Sequence, residues 1–170
     1  MARPVIVVDY DPAWPHIYER LRAPLAAALG DLAAAIEHVG STAVPGLAAK
    51  PVIDIDVLLA RADALARAIE RLIPLGYEHE GELGIPGRHA FRHAPELPVH
   101  HLYVCVPDCI DYRRHIVFRD YLRAHPEHAE AYGNLKRELA VTFRHDRTGY
   151  TDAKSAFVSD IMARAQAPLA

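Results

Sequence analysis

Residues 36–59 read IEHVGSTAVPGLAAKPVIDIDVLL, and the fold turns on how this stretch is parsed. The β-branched cluster at 36–39 reads as one strand and that at 52–59 as a second. A Gly40-Ser41 turn and a short helical turn starting near Pro45 lie between them. Strand side chains alternate, so Asp54 and Asp56 project from one face while Ile53, Ile55 and Val57 pack on the other. Two carboxylates that face one another repel at neutral pH, and a divalent, oxygen-seeking cation such as Mg²⁺ relieves the repulsion. Free backbone N–H groups at the Gly40-Ser41 turn, with the Ser41 hydroxyl, can hold a phosphate beside that cation.

Working outward, β-branched clusters at 5–8 and 99–106 also read as strands, and another strand is expected near Tyr77. Trp14, Ile17, Tyr18, Leu21, Leu25 and Leu29 form one stripe of a helix opened by Pro12 and closed at Gly30, with Pro24 able to kink it. Leu65, Ala68, Ile69, Leu72 and Leu75 form a second helical stripe, ended by Gly76. After Pro107 only helices are expected, over 111–124, 126–143 and 150–165, with 145–149 a loop. Residues 80–98, rich in Pro, Gly and charge, read as a loop or irregular hairpin long enough to flap over a site. The class is α+β: a mixed sheet flanked by helices in one domain, 1–170, with a sheet core at 1–107 and a helical part at 108–170.

The 170 residues are 51% hydrophobic, and 19 Lys+Arg against 22 Asp+Glu leave a formal charge of -3. No global basic field exists to bind nucleic acid, so any polyanion site is local. Charges interrupt every apolar run well short of the ~20 residues that cross a bilayer. Cys105 and Cys109 form no CxxC pair and read as small core residues; with no signal peptide evident, a reduced, cytoplasmic protein is expected. Among the 11 His, His100 and His101 point to opposite faces of one strand, so one of them joins the Asp54 and Asp56 face.

The segment 38–57, HVGSTAVPGLAAKPVIDIDV, resembles the signature of the GrpB family, within the polymerase-β type of nucleotidyltransferases. FRDYLRAHPE, the 132–139 segment and residues 150–158 are similar to that family too. The resemblance implies a nucleotidyltransferase-like fold, with Gly40 and Ser41 at a triphosphate and Asp54 and Asp56 on a metal. It also implies a third carboxylate on a later strand. That strand, at 100–106, contains no acid; His101 and Tyr103 occupy its alternating face. His101 is therefore a candidate base and a candidate metal ligand beside Asp54 and Asp56, where Mg²⁺ is the first expectation; an imidazole there suits a softer ion such as Mn²⁺ or Zn²⁺. Lys50 is either a phosphate-facing Lys or a solvated residue before a Pro-defined turn. Arg119 and Lys136, inside the segments that resemble the family, are candidate nucleotide contacts, with Arg114, Arg123, Tyr150 and Lys154 weaker ones.

The expected activity is metal-dependent transfer of a nucleoside monophosphate from a nucleoside triphosphate to a small acceptor. Two alternatives stand beside it. One is an inert or regulatory nucleotide-binding module linked to coenzyme A metabolism, since some family members are fused to a dephospho-coenzyme A kinase. The other is a His-assisted metal-binding protein or phosphohydrolase.

Overall fold

The computed structural model describes residues 4–166; the remaining seven of the expected 1–170 unit lie outside the described residues. Its helices are α1 (Trp14–Leu29), α2 (Leu65–Leu72), α3 (Ile110–Ala124), α4 (Pro126–Thr142), α5 (Arg147–Ala153) and α6 (Ser155–Gln166). Its strands are β1 (Ala33–Val39), β2 (Ile53–Leu59), β3 (Tyr77–Gly81), β4 (Arg88–His93) and β5 (His100–Cys105). They form one mixed sheet in the order β1-β2-β5-β4-β3. The pair β2 and β5 is parallel and every other neighbour antiparallel. The α+β class, a mixed sheet flanked by helices, is thus the one expected from the sequence.

The two faces of the sheet differ because β2 and β5 alternate. Ile53, Ile55, Val57, Leu102 and Val104 are buried with Trp14, Leu21, Leu25 and Leu29 of α1 and Ala68 and Leu72 of α2. This apolar face is a self-sufficient core. The opposite face carries Asp54, Asp56, His101 and Tyr103, in facing pairs Asp54↔His101 and Asp56↔Tyr103. The C-terminal helices cover it, held by a second cluster of Val44, Leu47, Leu122, Tyr132 and Ile161. No helix among the described residues is long and apolar enough to cross a membrane.

Several expectations are corrected. Residues 5–8 form no strand; they run beside the loop before β2 through one bridge, Val8 with Ala49. Residues 80–98 follow the irregular-hairpin alternative rather than the flap: they contain β4, which pairs with β3 and β5. Its apolar residues, Ala90 and Phe91, are adjacent rather than alternating, so periodicity hides it. The short helical turn sits at Ser41–Ala43 rather than at Pro45. The last helical stretch is two helices meeting at Lys154, and the expected 145–149 loop already contains the first turn of α5. Asp146 starts it early by accepting a bond of 2.9 Å from the Gly149 N–H. Pro24 sits inside α1 without ending it.

Two imidazoles are built into the apolar side. His100 Nε2 lies 2.9 Å from the Tyr77 hydroxyl and its Nδ1 2.6 Å from the Pro98 carbonyl. His38 stacks on Tyr18 at 4.7 Å between ring centroids. Burial holds both rings down at a pKa of about 4, against 6.5 for a free imidazole. A depressed imidazole stabilises the fold fully above the unfolded value and loses that contribution as pH falls toward the folded one. The difference is worth roughly 3 kcal/mol per ring at most. Between pH 6.5 and about 5 most carboxylates remain ionised, so acid sensitivity there reports the rings. Thermal unfolding should show the melting temperature falling across that interval and falling less steeply in His100→Gln; identical slopes would show that His100 is not the group responsible.

Candidate functional site

The site begins where β1 ends. Gly40 follows Val39 with φ at 72°, in the left-handed region, and a Cβ there would stand 2.3 Å from Asp54 Oδ2. Only glycine lets the turn approach that carboxylate. The turn is then fastened from both sides. Thr42 donates its hydroxyl proton to the Val52 carbonyl at 3.2 Å, so at 2.9 Å it accepts from His38 Nε2. Ser41 meets α4: Lys136 Nζ donates to its Oγ at 2.8 Å.

Across the cleft each aspartate holds an imidazole. His101 Nδ1 lies 2.7 Å from Asp54 Oδ1, and His115 Nδ1 lies 2.7 Å from Asp56 Oδ2. His115 reaches in from α3, with its Nε2 3.5 Å from Asp111 Oδ2. Arg88 of β4 binds the same Asp111 oxygen at 2.8 Å and stacks on Tyr103 with its guanidinium carbon 4.2 Å from the ring centre. The two carboxylates are therefore not left facing one another, as alternation alone suggests. Asp56 is fully buried, and its Oδ1 has no hydrogen-bond partner. Burial raises the Asp56 pKa, partly opposed by the bond to His115. Burial alone would lower His115, but the bond to Asp56 and the charges of Asp56 and Asp111 outweigh it and raise it.

The other wall is cationic. Lys50 and Lys154 line the cleft, both over the ring of buried Tyr150 at 5.2 and 4.4 Å, and Lys136 lies behind Ser41 at 2% exposure. Among the described residues none of the three ammonium groups has a carboxylate within 4 Å. Burial, and then the charges of Lys154 and Lys50, lower the Lys136 pKa to about 7. Burial, and then Lys50, lower Lys154 to about 8. The space between the two walls, about 400 Å³, is lined by Gly40, Ser41, Lys50, Asp54 and His101, with Phe118 and Tyr132 at its apolar side.

The structure thus brings together Gly40, Ser41, Lys50, Asp54 and His101, with Asp56 beneath His115 and Lys136 behind Ser41. Arg119 departs from its expected place at a nucleotide. Its guanidinium donates to Glu37 Oε2 at 2.6 Å, to the His38 carbonyl at 3.0 Å and to Asp120 Oδ1 at 2.8 Å, which fastens α3 to β1. Arg123 likewise donates to the Ala43 carbonyl, at 2.9 Å. Cys105 and Cys109 are buried free thiols, as expected. Sequence reasoning missed His115, Asp111 and Arg88. The signal present was the spacing of Asp111, His115 and Arg119, four residues apart on one helix face. Among the described residues no group of three or more His, Cys, Asp or Glu side chains is arranged to hold a metal ion.

The family model described as GrpB protein matches residues 4–164. The chain belongs to the GrpB family. A GrpB crystal structure from Enterococcus faecalis is 35% identical with a TM-score of 0.85, covering 94% of this chain and 96% of that one. The UPF0157 protein YqkA of Bacillus subtilis is 33% identical over 92% of this chain and 46% of its own length. A dephospho-CoA kinase of Mycolicibacterium paratuberculosis is 27% identical over 95% of this chain and 46% of its own length. The chain therefore spans about half of these two relatives. A crystal structure of Cid1 poly (U) polymerase with MgGTP bound is 17% identical with a TM-score of 0.52, over 76% of this chain and 42% of that one. This last likeness shows the fold.

In this GrpB chain the glycine of the turn is the position with least freedom, because backbone conformation and carboxylate contact act on the same atom. Gly40→Ala is expected to cost about 1–3 kcal/mol through the left-handed φ alone, with more from the displaced Asp54. Denaturant unfolding measures this; a cost below ~0.5 kcal/mol would mean that turn and carboxylate move apart freely.

Proposed function

We propose that this GrpB chain is a metal-dependent nucleotidyltransferase that moves a nucleoside monophosphate from a nucleoside triphosphate to a small acceptor. The observation that carries the reading is the pair of unbalanced walls. Three lysines with lowered pKa values stand around Ser41 with no carboxylate of the described residues within 4 Å, opposite two aspartates of which one keeps an oxygen without a partner. An anion alone satisfies one wall and a cation alone the other. A polyphosphate arriving with its divalent cation satisfies both.

The residues present fit such a cation. Mg²⁺ is commonly held by one or two carboxylates together with substrate phosphates, so the lack of a three-ligand protein cage is no obstacle. Asp54 and Asp56 would hold it, and His101, should it join them, would favour Mn²⁺ or Zn²⁺. A cation bound there supplies charge neutralisation at the phosphates.

The chain's own residues do the rest. The Gly40 backbone, the Ser41 hydroxyl, Lys50, Lys136 and Lys154 bind the triphosphate and stabilise the charge that develops on the leaving pyrophosphate. Asp54 accepts from His101 Nδ1–H and so orients the ring, leaving Nε2 to take the proton of the attacking hydroxyl. Phe118 and Tyr132 give the cleft an apolar wall against which a base can pack. Sheet and C-terminal helices act as one unit in this reading, because the cleft draws residues from both.

A second reading, an inert nucleotide-binding module with a link to coenzyme A metabolism, is favoured by β5, which offers His101 and Tyr103 where a third carboxylate would stand. A third, a His-assisted phosphohydrolase, is favoured by the two Asp–His pairs. Calorimetry with ATP, GTP, CTP and UTP, each with and without Mg²⁺, Mn²⁺ or Zn²⁺, separates them when followed by assays for pyrophosphate and phosphate. We expect cation-dependent triphosphate binding, weakened at least tenfold by Asp54→Asn and by Lys154→Met, with pyrophosphate released once an acceptor is present. Binding without turnover selects the inert module, and phosphate release selects hydrolysis. Failure of every triphosphate to bind overturns the first two readings together.

A further inference from the structure

On the opposite face of the sheet, away from the cleft, a second pair of imidazoles is set up by the β3–β4 hairpin. The register runs from His79↔Phe91 to Gly81↔Ala90, so one extra residue is inserted in β3. Gly81 takes a φ of 84° at this irregularity. Bulges of this kind re-aim side chains. Here the result is that His79 reaches its diagonal neighbour His89, with Nε2 3.1 Å from Nδ1 of His89.

That separation fits two ligands on one metal. With metal–nitrogen bonds of roughly 2.0–2.1 Å, angles from 90° to tetrahedral place the two nitrogens about 2.9–3.4 Å apart. Behind His89 stands a carboxylate: Glu82 Oε1 lies 3.8 Å from His89 Nε2, and the Gly87 N–H holds that same oxygen at 2.7 Å. At 3.8 Å the carboxylate is too far for a hydrogen bond and acts on the ring through its charge. From the bite distance, the bulge and the carboxylate behind the ring, we infer that His79 Nε2 and His89 Nδ1 form a binding site for one divalent transition-metal ion of the imidazole-preferring class, Zn²⁺ being the probe of choice, with Glu82 as the positioning residue for His89.

The pair has a further fitness for this role. Burial, and then the neighbouring His79, lower the His89 pKa. His79 remains half-buried rather than sealed, which leaves the ion a route in. Water completes the coordination shell. Because His89 follows Arg88 directly in β4, a metal here clamps the strand whose preceding residue reaches into the cleft.

The inference is independent of the proposed activity and is tested without it. Zn²⁺ titration by calorimetry is run in an Asp54→Asn background, so that uptake in the cleft does not mask the hairpin. One ion per chain is expected there, with affinity falling at least tenfold in His79→Gln and in His89→Gln, and several-fold in Glu82→Gln. The Asp54→Asn protein should also gain melting temperature with Zn²⁺, a gain lost when His79→Gln or His89→Gln is added, while the metal-free melting temperatures stay close to that of the background. No Zn²⁺ uptake in this background, or uptake unchanged by His79→Gln and His89→Gln, overturns the assignment.

Discussion

Asp54 occupies the space that a side chain at position 40 would need, and the rest of the site depends on that exclusion. A Cβ on residue 40 would come within 2.3 Å of a carboxylate oxygen, so the end of β1 and the start of β2 approach closely only while residue 40 is glycine. From this contact the geometry propagates. Ser41 is delivered to Lys136, Thr42 to the Val52 carbonyl, and Asp54 is left with one oxygen for His101. The short turn at Ser41–Ala43 is therefore a consequence of how two strands meet rather than of helix propensity in STA.

The polar face shows what the chain tolerates in order to keep that geometry. A buried carboxylate oxygen with no partner costs on the order of 1–3 kcal/mol, and Asp56 carries one. Clustered lysines with lowered pKa values add a further penalty, since like charges are drawn together out of water. The apolar face, with Ile55, Val57 and Leu102 at 1% exposure or less, supplies the stability that offsets both. Stability and chemistry are thus divided between the two sides of a single sheet.

Much of this was legible in the sequence because it rests on period and spacing. The α+β class, the shared face of Asp54, Asp56 and His101, the glycine of the turn and the opposite orientation of His100 all follow from alternation along two strands. What was illegible rests on contacts between elements distant in sequence. His115 meets Asp56 across 59 residues and Lys136 meets Ser41 across 95, and no local pattern announces either. Arg119 was expected at a nucleotide because it lies in a segment that resembles the family, whereas the acid its guanidinium meets, Glu37, lies 82 residues away. β4 was legible only as one arm of an irregular hairpin because a strand held between two neighbours needs no clean alternation of its own, and the first turn of α5 was missed because one aspartate cap, Asp146, outweighed the glycine after it.

The division of faces also decides which part of the chain makes the site. β1, β2 and β5 bring Ser41, Asp54, Asp56 and His101, but each of these is completed or flanked by a residue from β4 or the C-terminal helices: Arg88 from β4, His115 from α3, Lys136 from α4, and Lys154 at the junction of α5 and α6. Those helices are held to the sheet by Val44, Leu47, Leu122, Tyr132 and Ile161, a cluster distinct from the main core. Loosening that cluster would leave the apolar core intact while separating the cationic wall from the acidic one. The site is therefore less stable than the fold that carries it, and a polyphosphate bridging the walls would tighten the whole C-terminal half onto the sheet.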